Sequence, residues 1–105
     1  MATLKRTSSE KLPTTVTSPS DPSGSGAPDF AVTALDVNVA PTSGWVAGEW
    51  TGTFNTALKR MSALTPTMPA VGSGLDVAEG DWKLWCRFSI TGETPVQEVG
   101  GFTVE

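Results

Sequence analysis

The chain has 105 residues, of which 38% are hydrophobic, and its formal net charge is −4. This length allows one small domain, and the modest apolar content predicts that part of the chain does not pack into a core. Histidine is absent, which removes imidazole from any nucleophilic site or metal site. We therefore expect no enzyme, no catalytic residue, no cofactor and no metal.

Residues 1–29 contain five threonines, six serines, four prolines and two glycines. Such a segment has too little apolar surface to offset the entropy of ordering, about 1–2 kcal/mol per residue. The prolines favour extended conformations, and the Ser-Gly-Ser-Gly run at 23–26 favours a flexible joint. The composition predicts an extended N-terminal arm over 1–29 that becomes ordered on a partner, followed by a folded domain over 30–105.

Residues 30–105 carry four basic and eight acidic residues, which accounts for the whole net charge of −4. An acidic domain is repelled by phosphate backbones, so we expect no nucleic-acid partner. No apolar run reaches the roughly 18 residues of a membrane span, and the N-terminus lacks the apolar centre of a signal peptide. We expect no membrane association, and production in a cytosol.

Apolar residues alternate from Phe30 to Val39 with a change of phase near Ala34, which predicts a strand that either carries a bulge at Ala34 and Leu35 or buries both faces in turn. A second strand is predicted over 46–55, twisted or closely approached at its glycines. Residues 57–64 fit either a short helix or a strand, and the many neighbouring strands favour a strand. We predict a loop over 66–74, a short edge strand at Leu75 and Val77, and a last strand over 96–105.

Residues 81–90 give the clearest pattern, with five apolar side chains in one phase: Trp82, Leu84, Cys86, Phe88 and Ile90. Side chains two apart share one face of a strand, so this face is expected to line a core and to bury the thiol of Cys86. Trp85 lies in the opposite phase between Lys83 and Arg87. It is interpreted either as an exposed contact residue or as a side chain covered by residues 57–77 with cation–π support.

Five to seven short strands, with turn signals every 8 to 12 residues, predict an antiparallel β-sandwich or barrel. The core is small, and large side chains contribute about 1.5–3 kcal/mol each when buried. Five aromatic residues are expected to supply much of this stability: Trp50, Phe54, Trp82, Phe88 and Phe102.

Residues 79–88 read Glu-Gly-Asp-Trp-Lys-Leu-Trp-Cys-Arg-Phe, and Gly-Glu-Thr-Pro-Val follows at 92–96 and Gly-Phe-Thr-Val at 101–104. Together with the Trp-x-x-Gly-x-Trp of 45–50, this pattern resembles immunoglobulin-like β-sandwich modules in structural proteins of tailed bacteriophages. The resemblance covers residues 45–105. It implies a small antiparallel immunoglobulin-like β-sandwich without catalytic apparatus.

The resemblance and the arm together predict a virion structural protein, a capsid decoration or a head, neck or tail accessory, assembled in the host cytoplasm. Its expected partners are other virion proteins, namely major capsid, neck or tail subunits, met in many symmetric copies. The alternative is a carbohydrate or cell-surface binding module that stacks sugars on Trp85 and Trp45. The candidate partner-binding residues are Leu4, Lys5, Arg6, Leu12, Val16 and Trp85.

Overall fold

The computed structural model describes residues 2–105, and the fold is all-β, which confirms the predicted class. A single 3-10 turn, Ser23–Ser25, interrupts the strands within these residues. The strands are β1 (Ala2–Leu4), β2 (Ser9–Glu10), β3 (Pro13–Thr17), β4 (Asp29–Ala34), β5 (Val46–Ala47), β6 (Glu49–Asn55), β7 (Arg60–Leu64), β8 (Met68–Pro69), β9 (Gly80–Arg87) and β10 (Val96–Val104).

The strands form a five-stranded sheet of order β1-β10-β9-β4-β5, a three-stranded sheet of order β3-β7-β6, and the pair β2-β8. Strand β1 runs parallel to β10, and Leu4 lies opposite Val104. The other pairings are antiparallel. The prediction of a purely antiparallel architecture is therefore wrong at this edge, and the larger sheet is mixed.

The segment predicted as an extended arm contributes β1, β2 and β3, each paired with a strand of the domain. Its few apolar residues carry the attachment, since Leu4 and Val16 are buried in the common core. In β3 the backbone ladder to β7 runs without a break from Pro13 to Thr17. The expectation of an arm outside the domain is not met, because main-chain pairing and two buried anchors order it on its own chain.

One hydrophobic core joins the two larger sheets. Strands β4, β9 and β10 supply Phe30, Leu84 and Phe102, while β3 and β7 supply Val16 and Met61. The prediction that the apolar set of alternating side chains in β9 faces the core is correct. Among the five aromatic residues predicted to stabilise the core, Phe54, Phe88 and Phe102 are buried in it, and Trp50 and Trp82 are partly buried against it.

Gly48 divides the strand that was predicted over 46–55. The chain leaves β5 in the larger sheet and enters β6 in the smaller sheet at this residue. A Cβ at Gly48 would overlap the carbonyl oxygen of Leu64 and the ring of Phe30, so a side chain has no room there. The close approach expected at a strand glycine is thus the point where the chain crosses between sheets.

Strand β4 ends at Ala34, five residues before the end of its apolar alternation. Val37 N–H donates to the carbonyl of Ala34 at 3.0 Å, which closes a turn and takes the chain out of the sheet. The segment that follows, here called the 35–45 loop, leads back to β5. Its apolar residues Leu35, Val37 and Val39 are consequently exposed.

Strands β9 and β10 are joined through a tight turn at Thr91 and Gly92. Their φ angles are 46° and 78°, and Ile90 and Glu93 exchange two backbone hydrogen bonds of 2.9 and 2.8 Å. Positive φ at both central residues is the geometry of a type I′ turn, which suits the twist of a hairpin. Glycine adopts it freely, whereas the β-branched Thr91 is strained there.

The side chain of Gln97, in β10, bonds the main chain of β3. Its amide oxygen accepts from Thr17 N–H at 2.9 Å, and its amide nitrogen donates to Thr17 C=O at 2.9 Å. These are the two bonds that a neighbouring strand would supply. Gln97 therefore links the edge of the smaller sheet to the larger sheet.

Candidate interaction surfaces

The outer face of β9, which the sequence presents as charged, is covered by the chain itself. The side chain of Trp85 is 7% exposed, and its indole N–H donates to the hydroxyl of Thr33 in β4 at 2.9 Å. Lys83 Nζ lies 5.8 Å from the centroid of the same ring. The interpretation of Trp85 as an exposed contact residue is therefore wrong, and the predicted cation–π support is present.

Lys83 is 6% exposed and holds the 35–45 loop in place. Its ammonium donates to the carbonyl of Val37 at 2.8 Å and to Oδ1 of Asn38 at 2.9 Å, and Glu98 lies at 3.6 Å. A buried ammonium requires such partners, because desolvation without hydrogen bonds is strongly unfavourable. The hydrogen bonds given by Lys83 and Trp85 on this face thus go to the 35–45 loop and to Thr33, whereas cover by residues 57–77 was predicted.

Trp45, the second tryptophan considered for sugar stacking, is half-buried and lies against Arg87. The guanidinium carbon is 4.6 Å from the ring centroid, and Nε of Arg87 donates to Asp29 at 3.2 Å. One face of the ring is therefore occupied by a cation that is itself paired. This arrangement extends the closed outer face of β9 towards β5.

The remaining predicted contact residues lie at the edges of the sheets. Arg6 donates to the carbonyl of Pro69 at 2.6 Å and to Asp76 at 2.7 Å. Leu12 packs against the core and exchanges hydrogen bonds with Thr65. Lys5 is exposed and has no ion pair among the described residues. The structure therefore disperses this set and does not assemble it into one surface.

An apolar cleft of about 180 Å³ opens between β10 and the start of β3. Leu84 and Phe102 contribute core side chains to its wall, and Ala2 and Leu12 contribute from the N-terminal segment. Val99, Gly100 and Gly101 complete the β10 side, where the register of β10 against β9 shifts. This cleft was not predicted from the sequence. Its one signal there is the Gly-Gly pair at 100–101, which leaves two adjacent positions of β10 without side chains.

The turn between β6 and β7, residues 56–59, presents a second surface that the sequence did not single out. Leu58 is 58% exposed, although its N–H is fixed by Oδ1 of Asn55 at 2.9 Å. Lys59 has a φ of 56°, an uncommon left-handed conformation for a residue with a side chain. The tip of this hairpin thus presents an apolar side chain beside two cations, Lys59 in the turn and Arg60 at the start of β7.

The chemistry of the described residues offers little beyond these surfaces. Burial, with a smaller contribution from Asp29, raises the pKa of the Cys86 thiol to about 12. Within residues 2–105 no group of three or more histidine, cysteine or acidic side chains is arranged to hold a metal ion. No helix in the same range is long and apolar enough to cross a membrane.

No protein-family model, curated protein or solved structure matches the chain.

Proposed function

We propose that this chain is a non-enzymatic structural protein of a tailed-phage virion, a capsid decoration or a head, neck or tail accessory protein. The observation that carries the proposal is the strand order, taken with the motifs of residues 45–105. The order β10-β9-β4-β5 opposite β3-β7-β6 supports an assignment of these strands as G-F-C-C′ opposite B-E-D of an immunoglobulin-like sandwich. A shared core between the two sheets supports the same proposal.

Attachment to neighbouring virion subunits is proposed through the N-terminal segment, now as part of the domain edge. In β1 and β3 most side chains are exposed, while Leu4 and Val16 point inward. Lys5, beside β1, supplies an exposed cation for an acidic neighbour. Many symmetric copies would make a weak contact at each edge sufficient, because linked contacts add avidity.

The alternative, a carbohydrate-binding module, requires a flat exposed aromatic platform. Trp85 is buried and Trp45 faces Arg87, so neither ring is fully open for stacking. This geometry favours the structural role over the sugar-binding role.

The experiment is a quantitative mass-spectrometric measurement on purified particles of the phage that encodes the chain. We expect a fixed ratio to the major capsid protein that survives repeated salt washing and is the same between preparations. A non-structural protein of the same phage serves as the control for carry-over. Absence of the chain from washed particles, or a ratio that falls with each wash like the control, would contradict the proposal.

A further inference from the structure

The apolar cleft beside β10 has the size and chemistry of a site for one apolar side chain. A cavity of roughly 150 Å³ suffices for benzene, and this cleft measures about 180 Å³. Hydrocarbon from Leu84, Phe102 and Leu12 dominates its wall, and none of the residues that line it is charged. An uncharged, branched or aromatic group therefore fits this cleft.

The cleft lies where the edge of β10 is open. Strand β1 pairs with β10 only at Phe102, Thr103 and Val104. Among residues 2–105, no strand pairs with the 96–101 part of β10 on the side away from β9. An approaching polypeptide can therefore reach the cleft without displacing a strand.

Leu58 is the exposed side chain best suited to fill such a cleft. Val39 and Val71 are more exposed, but they are smaller than leucine and lie outside hairpin tips. Leu58 is held by the bond to Asn55 and by the left-handed backbone of Lys59. A turn whose backbone is already fixed loses less entropy on binding.

The charges beside Leu58 favour a second copy of this chain as the acceptor. Lys59 and Arg60 form no ion pair within the described residues. The chain has seven basic residues, so five remain beside these two, against eleven acidic residues. A cationic tip is therefore attracted to the acidic body of another copy, and salt screens this attraction.

We propose that the 56–59 turn of one copy inserts Leu58 into the apolar cleft of the next copy. The donor turn and the acceptor cleft are different surfaces, so the contact is heterologous. Each copy that donates can also accept, which makes the association propagate into rings or open chains. The proposal concerns contacts between copies and holds independently of the virion role.

The test uses two full-length variants that each remove one side of the contact. Leu58→Ser removes the donor, and Ala2→Phe fills the cleft from its own wall. Sedimentation velocity over a range of protein concentrations, at low and high salt, measures association. We expect the unmodified chain to form oligomers that dissociate in high salt, and each variant alone to remain monomeric.

Mixing the two variants distinguishes this contact from any symmetric one. The Ala2→Phe copy retains its turn and the Leu58→Ser copy retains its cleft, so one junction forms and growth then stops. A mixture that yields 1:1 dimers and nothing larger supports the proposal. Monomers at every concentration of the unmodified chain, or unchanged association of both variants, would overturn it.

Val71→Ser is the matched control, because it removes another exposed apolar side chain that lies outside hairpin tips. It should associate like the unmodified chain. Thermal unfolding establishes first that each variant is folded. If Ala2→Phe does not fold, the double variant Lys59→Glu, Arg60→Glu replaces it as a decisive test, since loss of association with the acidic body is then expected and persistence contradicts the contact.

Discussion

Strands β3 and β9 lie in the same small domain but are held in opposite ways. In β3 only Val16 is buried, and its neighbours Thr15 and Thr17 are exposed. In β9 four consecutive side chains from Lys83 to Cys86 are buried, so both faces are covered. An edge strand thus needs one anchor and a complete ladder, whereas the central strand is enclosed by the core on one face and by the 35–45 loop on the other.

This difference predicts where the domain is vulnerable. In β3 the sensitivity of folding stability to substitution is concentrated at one position, because the other side chains contact solvent. In β9 it is spread over both faces, but the inner face is apolar and the outer face depends on polar bonds. Substitutions in the two strands test this contrast, from the largest expected effect to the smallest.

Val16→Asp has the largest expected effect. It places an unpaired carboxylate in the core, and losses of about 4 kcal/mol or more arise from such burial. Urea unfolding should show no stable native baseline, whereas Thr15→Asp, one residue away on the exposed side, should unfold near the original midpoint. Equal stability of the two variants would mean that residues 1–29 do form an arm outside the domain.

Leu84→Ala and Leu4→Ala compare the centre of the larger sheet with its edge. Both residues are almost fully buried, and removal of a buried leucine costs about 2–5 kcal/mol. We expect Leu84→Ala near the upper end and Leu4→Ala near the lower end, because the three-residue β1 can move to fill the space. Chemical denaturation measures both, and the reverse order would contradict the contrast.

Lys83→Ala tests the polar closure of the outer face. It removes the donor to Val37 and Asn38, and we expect a loss of about 1–2 kcal/mol together with faster amide exchange in the 35–45 loop. Lys83→Met keeps much of the aliphatic packing against Trp85 and should lose less stability, yet it should release the loop equally. Unchanged exchange in both variants would show that the loop is held by other contacts.

Cys86 makes the free energy of unfolding depend on pH through the inner face of β9. Its pKa is raised from 9.0 to about 12 in the folded chain, so the neutral thiol is favoured there. The resulting stabilisation is complete below pH 9 and declines between pH 9 and 12, with a slope approaching about 1.4 kcal/mol per pH unit. Cys86→Ala should lack this component in urea unfolding measured across that range, and identical pH profiles would contradict it.

Thr91→Asn should give the smallest change, a stabilisation of about 0.5–1 kcal/mol. Asparagine tolerates the left-handed backbone that both central residues of the type I′ turn adopt. Gly92→Ala is the opposite control, since alanine is strained at a φ of 78° and should lower the melting temperature. A lower melting temperature for Thr91→Asn would exclude relief of turn strain as the reason.

The sequence predicts most of the side chains that face the core and few of the contacts on the outer face of the larger sheet. Alternation in 81–90 places Leu84, Cys86 and Phe88 correctly, because the periodicity of a strand is a local property. The hydrogen-bond partners of Trp85 and Lys83 on the outer face lie more than 40 positions earlier, and no local pattern encodes those contacts. Composition likewise misjudges residues 1–29, because ladder bonds to β7 and β10 are invisible in an amino-acid count.

The apolar cleft was unpredictable for a similar reason. It arises from the register shift after Glu98 and from the side-chain-free pair at 100–101, together with the position of β3 on the other sheet. The turn between β9 and β10, by contrast, is marked in the sequence by the turn residues Gly92 and Pro95. A tight turn is determined by residues that are neighbours in sequence, whereas a gap between two sheets depends on how strands that are distant in sequence approach each other.

The two bonds from Gln97 to Thr17 also bear on how the protein behaves in concentrated solution. An edge strand with free N–H and C=O groups is a template for pairing with another chain, and proteins avoid aggregation by blocking such edges. Here the side-chain amide of Gln97 takes up the backbone N–H and C=O groups of Thr17 from within the same molecule. At high protein concentration the backbone of Thr17 is thereby closed to a strand from another copy, and contacts between copies are left to surfaces that fit one another.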